Sequence, residues 1–250
     1  VEGKNKISSK IIKSKKPIII IGESALSSNA GEYIFESIKN YLIKNDKINN
    51  NWNSLNVLAQ NASHVGAIDL GLYKTSNKND FQVLNKLYKN EFKLVFLLGS
   101  DELNFKKKNE FVIYQGSHGD RGANSADVIF PSAAYTEKDG HYVNLEGRFQ
   151  KAFKATYPPG EAKEDWEIIN KLLFAIKKKN IFKKKNDLQL KMIESNIYFS
   201  KIEKIFKEKT QDKITKPKIE FIESKIEINE IDYYHTNHIS RSSKTMSESK

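Results

Sequence analysis

One short run limits the folds open to this chain more than any other feature. "KLVFLLGSD", Lys93 to Asp101, is continuously apolar for five residues and closes on a glycine. Such a run does not alternate, so it reads as a strand in a sheet covered on both faces. "PIIIIG" at Pro17–Gly22, "FVIYQG" at Phe111–Gly116 and "DVIFP" at Asp127–Pro131 have the same character, each stopped by glycine or proline. Helical patterns lie between them. Ile34, Ile38, Tyr41 and Leu42 share a helical face after a small-residue loop holding Gly31. Val83, Leu84 and Leu87 do so in "DFQVLNKLYKN", where Asp80 is placed to cap. Strands alternating with helices predict an α/β fold with a largely parallel sheet flanked by helices.

The best helix is expected in "YPPGEAKEDWEIINKLLFAIKKK", with an acidic first turn, a lysine-rich last turn and a buried stripe of Trp166, Ile169, Leu173 and Ile176. "NSLNVLAQNASHVGAIDLG" is ambiguous between a short helix and irregular segments, and "HYVNLEGRFQ" fits a ribbon or an extended loop. Beyond Asn180 the pattern weakens into a helix-like stretch, a "KIEFIESKIEINEID" pair of edge strands, and a Ser-rich tail expected to be loose unless a partner covers it. The expected division is an α/β domain over residues 1–179, and a Lys-rich helical and extended segment over 180–250 that packs on it or on partners.

The 250 residues include no cysteine, which excludes disulfides, thiolate-held iron–sulfur clusters and Cys-based zinc sites. No apolar run approaches the roughly 18 residues of a membrane span. The +11 net charge invites a nucleic-acid reading, but it comes from lysine runs, and arginine occurs only at Arg121, Arg148 and Arg241. A solvated surface is the better account, since arginine is the usual reader of phosphates and base edges.

Candidate sites divide as follows. "GESALSSNAG", Gly22–Gly31, lies after a strand where phosphates bind, yet it is neither a P-loop nor GxGxxG, and a plain turn is favoured. "QGSHGDRGANSAD" offers Ser117, His118 and Asp120, residue types of a catalytic triad, but neighbours along a chain rarely converge. His235 and His238 present imidazoles without a recognised metal motif. In "HYVNLEGRFQ", Asn144, Glu146 and Arg148 alternate with Val143, Leu145 and Gly147. That spacing suits a loop pinned by charged hydrogen bonds, with Gly147 taking a conformation other residues resist.

The segment "ADVIFPSAAYTEKDGHYVNLEGRFQKAFKATYPPGEAKEDWEII" resembles one shared by molybdopterin oxidoreductases, such as formate dehydrogenases, and by the largest iron–sulfur subunit of respiratory complex I. "YQGSHGDRGANSADVI", "DYYHTN" and "ISRSSKTM" resemble the complex I form. The resemblance implies a molybdopterin-oxidoreductase-like domain that has lost its cofactor and serves as a scaffold of the NADH:ubiquinone oxidoreductase peripheral arm. It implies no catalytic, cofactor or metal residues here, with Asn144, Glu146, Gly147 and Arg148 assigned to loop architecture. Fe–S clusters and FMN are expected in partner subunits, above all in a Cys-rich Fe–S chain forming the missing N-terminal half. A split gene with one part in an AT-rich organelle genome is the expected origin. The expected place is the matrix side of the mitochondrial inner membrane, with neither nucleic acid bound nor a segment inserted. A molybdopterin-dependent enzyme such as a formate dehydrogenase is the alternative, and a basic nucleic-acid binder the second.

Overall fold

The computed structural model describes residues 5–72, 80–178, 181–205, 214 and 232–249. They form two compact units, neither continuous in sequence. The first takes its described residues from Val1–Asp69, Tyr142–Gln150 and Ser200–Asn229, and the second from Leu70–His141, Lys151–Phe199 and Glu230–Lys250.

In the first unit, α1 (Lys6–Lys13) precedes strand β1 (Ile19–Gly22), the short α2 (Glu23–Leu26) and α3 (Gly31–Lys44). A hairpin of β2 (Ile48–Asn49) and β3 (Trp52–Asn53) leads to β4 (Leu55–Leu58) and then α4 (His64–Asp69). β1 and β4 pair in parallel, Ile19 opposite Leu55 and Ile21 opposite Val57, so β1–α3–β4 is a crossover unit. Leu42 of α3 and Ile21 of β1 are buried. Gly31 is needed where α2 meets α3, because a Cβ there would overlap the Leu26 backbone carbonyl.

The second unit holds α5 (Asp80–Tyr88), β5 (Leu94–Leu98), β6 (Phe111–Gly116), α6 (Arg121–Asn124) and β7 (Val128–Pro131). β5, β6 and β7 form a three-stranded parallel sheet in sequence order. Its core joins Leu97, Val112 and Tyr114 to Leu87 and Phe105. The chain then passes through the paired strands β8 (Gly140–Val143) and β9 (Phe149–Ala152), whose connecting loop belongs to the first unit. α7 (Asp165–Lys177) and α8 (Lys185–Ser195) follow in the second unit. Two short helices, α9 (His238–Ser242) and α10 (Lys244–Glu248), complete it.

The α/β expectation holds, and the four apolar runs are strands. Several details differ. In α5, Leu87 is buried but Val83 and Leu84 are exposed, since only one turn of this two-turn helix reaches the core. The expected Asp80 cap lies outside the described side chains. In α7, Ile168 is the buried residue and Ile176 is 68% exposed, so the stripe is rotated from the one expected. The large apolar residues of α7 other than Phe174 span a broad arc of about 160° on the helical wheel, wider than the expected stripe, and polar contacts fix which part of it is buried. Gln115 donates to the Asp165 carboxylate at 2.9 Å, and Asn170 donates to the Phe182 carbonyl at 2.8 Å. The ambiguous stretch after Asn53 resolves into β4 and α4. The edge strands expected in "KIEFIESKIEINEID" lie outside the described residues, apart from Asp232. The Ser-rich tail is helical rather than loose, for a reason found at the sheet's carboxyl edge. Among the described residues, no helix is long and apolar enough to cross a membrane.

Candidate functional site

In an open α/β sheet, ligands bind outside the carboxyl ends of the strands. Here that edge of β5 and β6 is lined with carboxylates. After Leu98 the chain turns through Gly99, at φ 62°, to Asp101 and Glu102. After Gly116 it reaches Asp120, whose side chain accepts from the Arg121 amide at 2.8 Å at the start of α6. Arg241 of α9 fills the space between. Its Nε donates to Asp120 at 2.8 Å, one terminal nitrogen donates to Asp101 at 2.6 Å, and the other contacts Glu102 and the His235 carbonyl. Only 20% of the Arg241 side chain is exposed.

Burial raises the Asp120 pKa, but the Arg121 amide and the Arg241 hydrogen bond and charge outweigh it and hold the group below the usual carboxylate range. Tyr114, beneath this edge, donates to the His118 carbonyl at 2.8 Å. Burial, with the charges of Asp101 and Asp120, pushes its phenol up to about 12.

The residues of the glycine-rich loop do not assemble a triad. Ser117 Oγ lies 3.0 Å from His118 Nδ1, but Asp120 is turned to Arg241. The His118 ring instead packs against His238, centroids 5.1 Å apart. Burial, with His118 and Arg241 nearby, lowers the His238 pKa against the pull of Asp101. His235 and His238 do not converge: His235 Nδ1 bonds Asp232 at 2.9 Å, while His238 Nδ1 lies 3.7 Å from Asp101. No group of three or more metal-ligating side chains occurs among the described residues. After β1, Glu23 accepts from the Gln60 amide and pairs with His64 at 2.8 Å, which places a carboxylate where a phosphate would sit.

The Asn144–Arg148 loop joins β8 to β9. The Asn144 side-chain carbonyl accepts from the Glu146 amide at 3.0 Å and from the Arg148 amide at 2.9 Å. Gly147 has φ 79° and its amide donates to the Asn144 carbonyl at 3.0 Å. Arg148 donates to the Glu203 carbonyl at 3.2 Å, and Val143 and Phe149 are buried at either end. The Asn144 amide therefore holds the turn itself, and the Arg148 guanidinium supplies a charged hydrogen bond to the segment beside it. Glu146 reaches only the Asn144 amide nitrogen, at 3.5 Å.

Reading the residues alone missed Arg241, Asp101 and Glu102. The usable signal was the scarcity of arginine: two of the three, Arg148 and Arg241, tie together segments far apart in the chain.

Residues 1–174 match the family model described as molybdopterin oxidoreductase. The chain belongs to the molybdopterin oxidoreductase family. It is 39% identical over 99% of its length to the NADH-ubiquinone oxidoreductase 75 kDa subunit of Reclinomonas americana, covering 36% of that protein. It is 39% identical over 97% of its length to an NADH-quinone oxidoreductase subunit of Rickettsia bellii, covering 34%. It is 37% identical over 97% of its length to the mitochondrial NADH-ubiquinone oxidoreductase 78 kDa subunit of Candida albicans, covering 34%. The chain thus spans about a third of the length of these curated relatives.

The family description implies a pterin cofactor, whose phosphates need cationic or amide donors. The carboxyl edge of β5 and β6 does not fit that need. It offers Asp101, Glu102 and Asp120, and the Arg241 beside them is already held by those three carboxylates. An anion placed there would meet like charge and would have to displace Arg241.

Proposed function

We propose that this chain is a non-catalytic, cofactor-free scaffold portion of the peripheral arm of NADH:ubiquinone oxidoreductase, respiratory complex I. The observation that carries the reading is the carboxyl edge itself, which Arg241 occupies and three carboxylates line. Similarity to subunits of NADH oxidoreductases across nearly the whole chain supports the choice of assembly.

In this reading the chain contributes no reacting group to the NADH reductase of which it is a component. Fe–S clusters and FMN belong to partner subunits, chief among them a Cys-rich Fe–S chain supplying the N-terminal half. Asn144, Glu146, Gly147 and Arg148 have an architectural role, closing the β8–β9 ribbon and pinning the Glu203 backbone. Residues 1–179 serve as the scaffold domain, and 180–250 as a segment packing on it or on partners. The assembly sits on the matrix side of the mitochondrial inner membrane, with this chain neither inserted nor bound to nucleic acid.

The test is native isolation. The chain is tagged, membranes are solubilised mildly, and the particle is sized and assayed. A large particle that oxidises NADH is the expected result. A small particle reducing or oxidising formate, or a lone chain retained on polyanions, would overturn the proposal.

A further inference from the structure

Arg241 ties α9 to the carboxyl edge of β5 and β6, and the first residue of that helix faces the same edge. The His238 ring packs on that of His118, centroids 5.1 Å apart with planes at 44°. The Tyr135 ring stands at 76° to it, centroids 6.5 Å apart. An imidazole of the C-terminal segment thus rests on an imidazole of the loop after β6.

This packing suits neutral His238. Its Nδ1 is turned to Asp101 at 3.7 Å, which favours the tautomer carrying the proton on that side. Its Nε2 is buried and has no hydrogen-bond partner among the described residues. A second proton would form an N–H there that has lost water and gained no acceptor. The charged groups around the ring do not offset that cost. Asp101 is already bonded to Arg241, as are Glu102 and Asp120, and His235 is turned to Asp232. Lys138, held by Asp165, adds positive charge. Burial foremost, with His118, Arg241 and Lys138 against the pull of Asp101, keeps the His238 pKa below its usual value. The Ser117 hydroxyl, 3.0 Å from His118 Nδ1, serves as donor or acceptor and so steadies His118 without fixing its charge.

We propose that His118 and His238 form a proton-operated latch on the C-terminal segment, holding α9 and α10 at the sheet edge while neutral and releasing them on acidification. Release gives His238 Nε2 access to water, so the open form takes the proton that the closed form resists. The latch is therefore fully set above about 6.5, the ordinary histidine value, and weakens as pH falls below it. Arg241 stays charged throughout, so it sets the strength of the attachment while the histidines set its pH dependence. One histidine titrating normally only in the open form raises opening by at most about tenfold between pH 7.5 and 5.5. The inference concerns contacts within this chain and stands apart from the scaffold reading.

Amide hydrogen exchange on the native particle at pH 7.5 and 5.5 tests it, with labelling times scaled to the intrinsic amide rates and α7 as the reference. Opening of residues 238–249 should be roughly fivefold to tenfold more frequent at pH 5.5, with α7 changed by less than about twofold. In the double variant His118→Gln, His238→Gln the change in 238–249 should also fall below about twofold. Protection independent of pH in the wild type, a loss that α7 shares, or a loss that the double variant retains would each overturn the latch. Should that variant fail to assemble, deuterium uptake at the imidazole C2 position of the wild type gives the His238 titration midpoint directly. A midpoint below about 6.5 is expected, and one at or above that value would overturn the proposal.

Discussion

Replacing Arg241 with alanine isolates the contact that orders the C-terminal segment. The guanidinium is four-fifths shielded, and it faces Asp101 and Asp120, whose side chains are 11% and 27% exposed. Glu102 is 68% exposed, so its pair with Arg241 adds less than about 1 kcal/mol. Deleting one partner of a fully buried pair costs about 3–5 kcal/mol, because the other charge stays behind unpaired. Partial exposure reduces this, and about 2–4 kcal/mol is expected for Asp101 and Asp120 together. At about 1.4 kcal/mol per tenfold, local opening of α9 and α10 should become roughly 30 to 1,000 times more frequent. Amide exchange reports it directly, since the Arg241 and Ser243 amides donate to Asn237 and Ser240 carbonyls within α9. Arg241→Lys keeps the charge but loses the fork, and it should fall between wild type and alanine. Exchange within about twofold of wild type in R241A would refute the reasoning, because the segment would then be ordered by something else.

Two further perturbations follow from the same geometry. Asn144→Ala leaves the Glu146 and Arg148 amides without their acceptor and should cost about 1–3 kcal/mol, read as a lower thermal midpoint, whereas Asn144→Asp keeps the acceptor and should be much milder. Stability should also depend on pH at both ends. His238 has its pKa lowered by burial from 6.5, so the unfolded chain takes the proton first, and stability should decline as pH falls below about 6.5. Asp120 and Asp165 are lowered from 3.8 despite burial, by their hydrogen bonds and cationic neighbours, so their contribution is present above 3.8 and lost beneath it. Tyr114 is raised from 10.0 to about 12, so its contribution holds below 10 and is lost as pH rises toward 12. Denaturant midpoints across pH 3–11 check both signs, and a midpoint that rises on acidification below 6.5 would contradict the His238 assignment.

Strands β1, β5, β6 and β7 were legible because each is an apolar run ended by glycine or proline, a local signal. The β2–β3 hairpin was not, since "INNNWN" carries only Ile48 and Trp52 as apolar residues. The buried face of α7 was misjudged because Ile168, Leu172, Ile176, Ile169 and Leu173 spread over an arc of about 140°, and the pattern does not say which part of so broad a face meets the core. The tail looked loose because serine and lysine dominate it, while its anchor is one arginine bonded to a carboxylate 121 residues away. In the Asn144–Arg148 loop, the need for glycine at position 147 was readable, but the pinning role of the Asn144 amide depends on backbone geometry.

The central claim is that this family fold works here without its cofactor, as part of an NADH-oxidising assembly. The most direct test is elemental and pterin analysis of the native particle, quantified per mole of this chain. The account predicts iron and flavin in stoichiometric or greater amount, with molybdenum, tungsten and pterin at background. About one molybdenum or tungsten and one pterin per chain would contradict it, and would mean that Arg241 yields its place to a ligand.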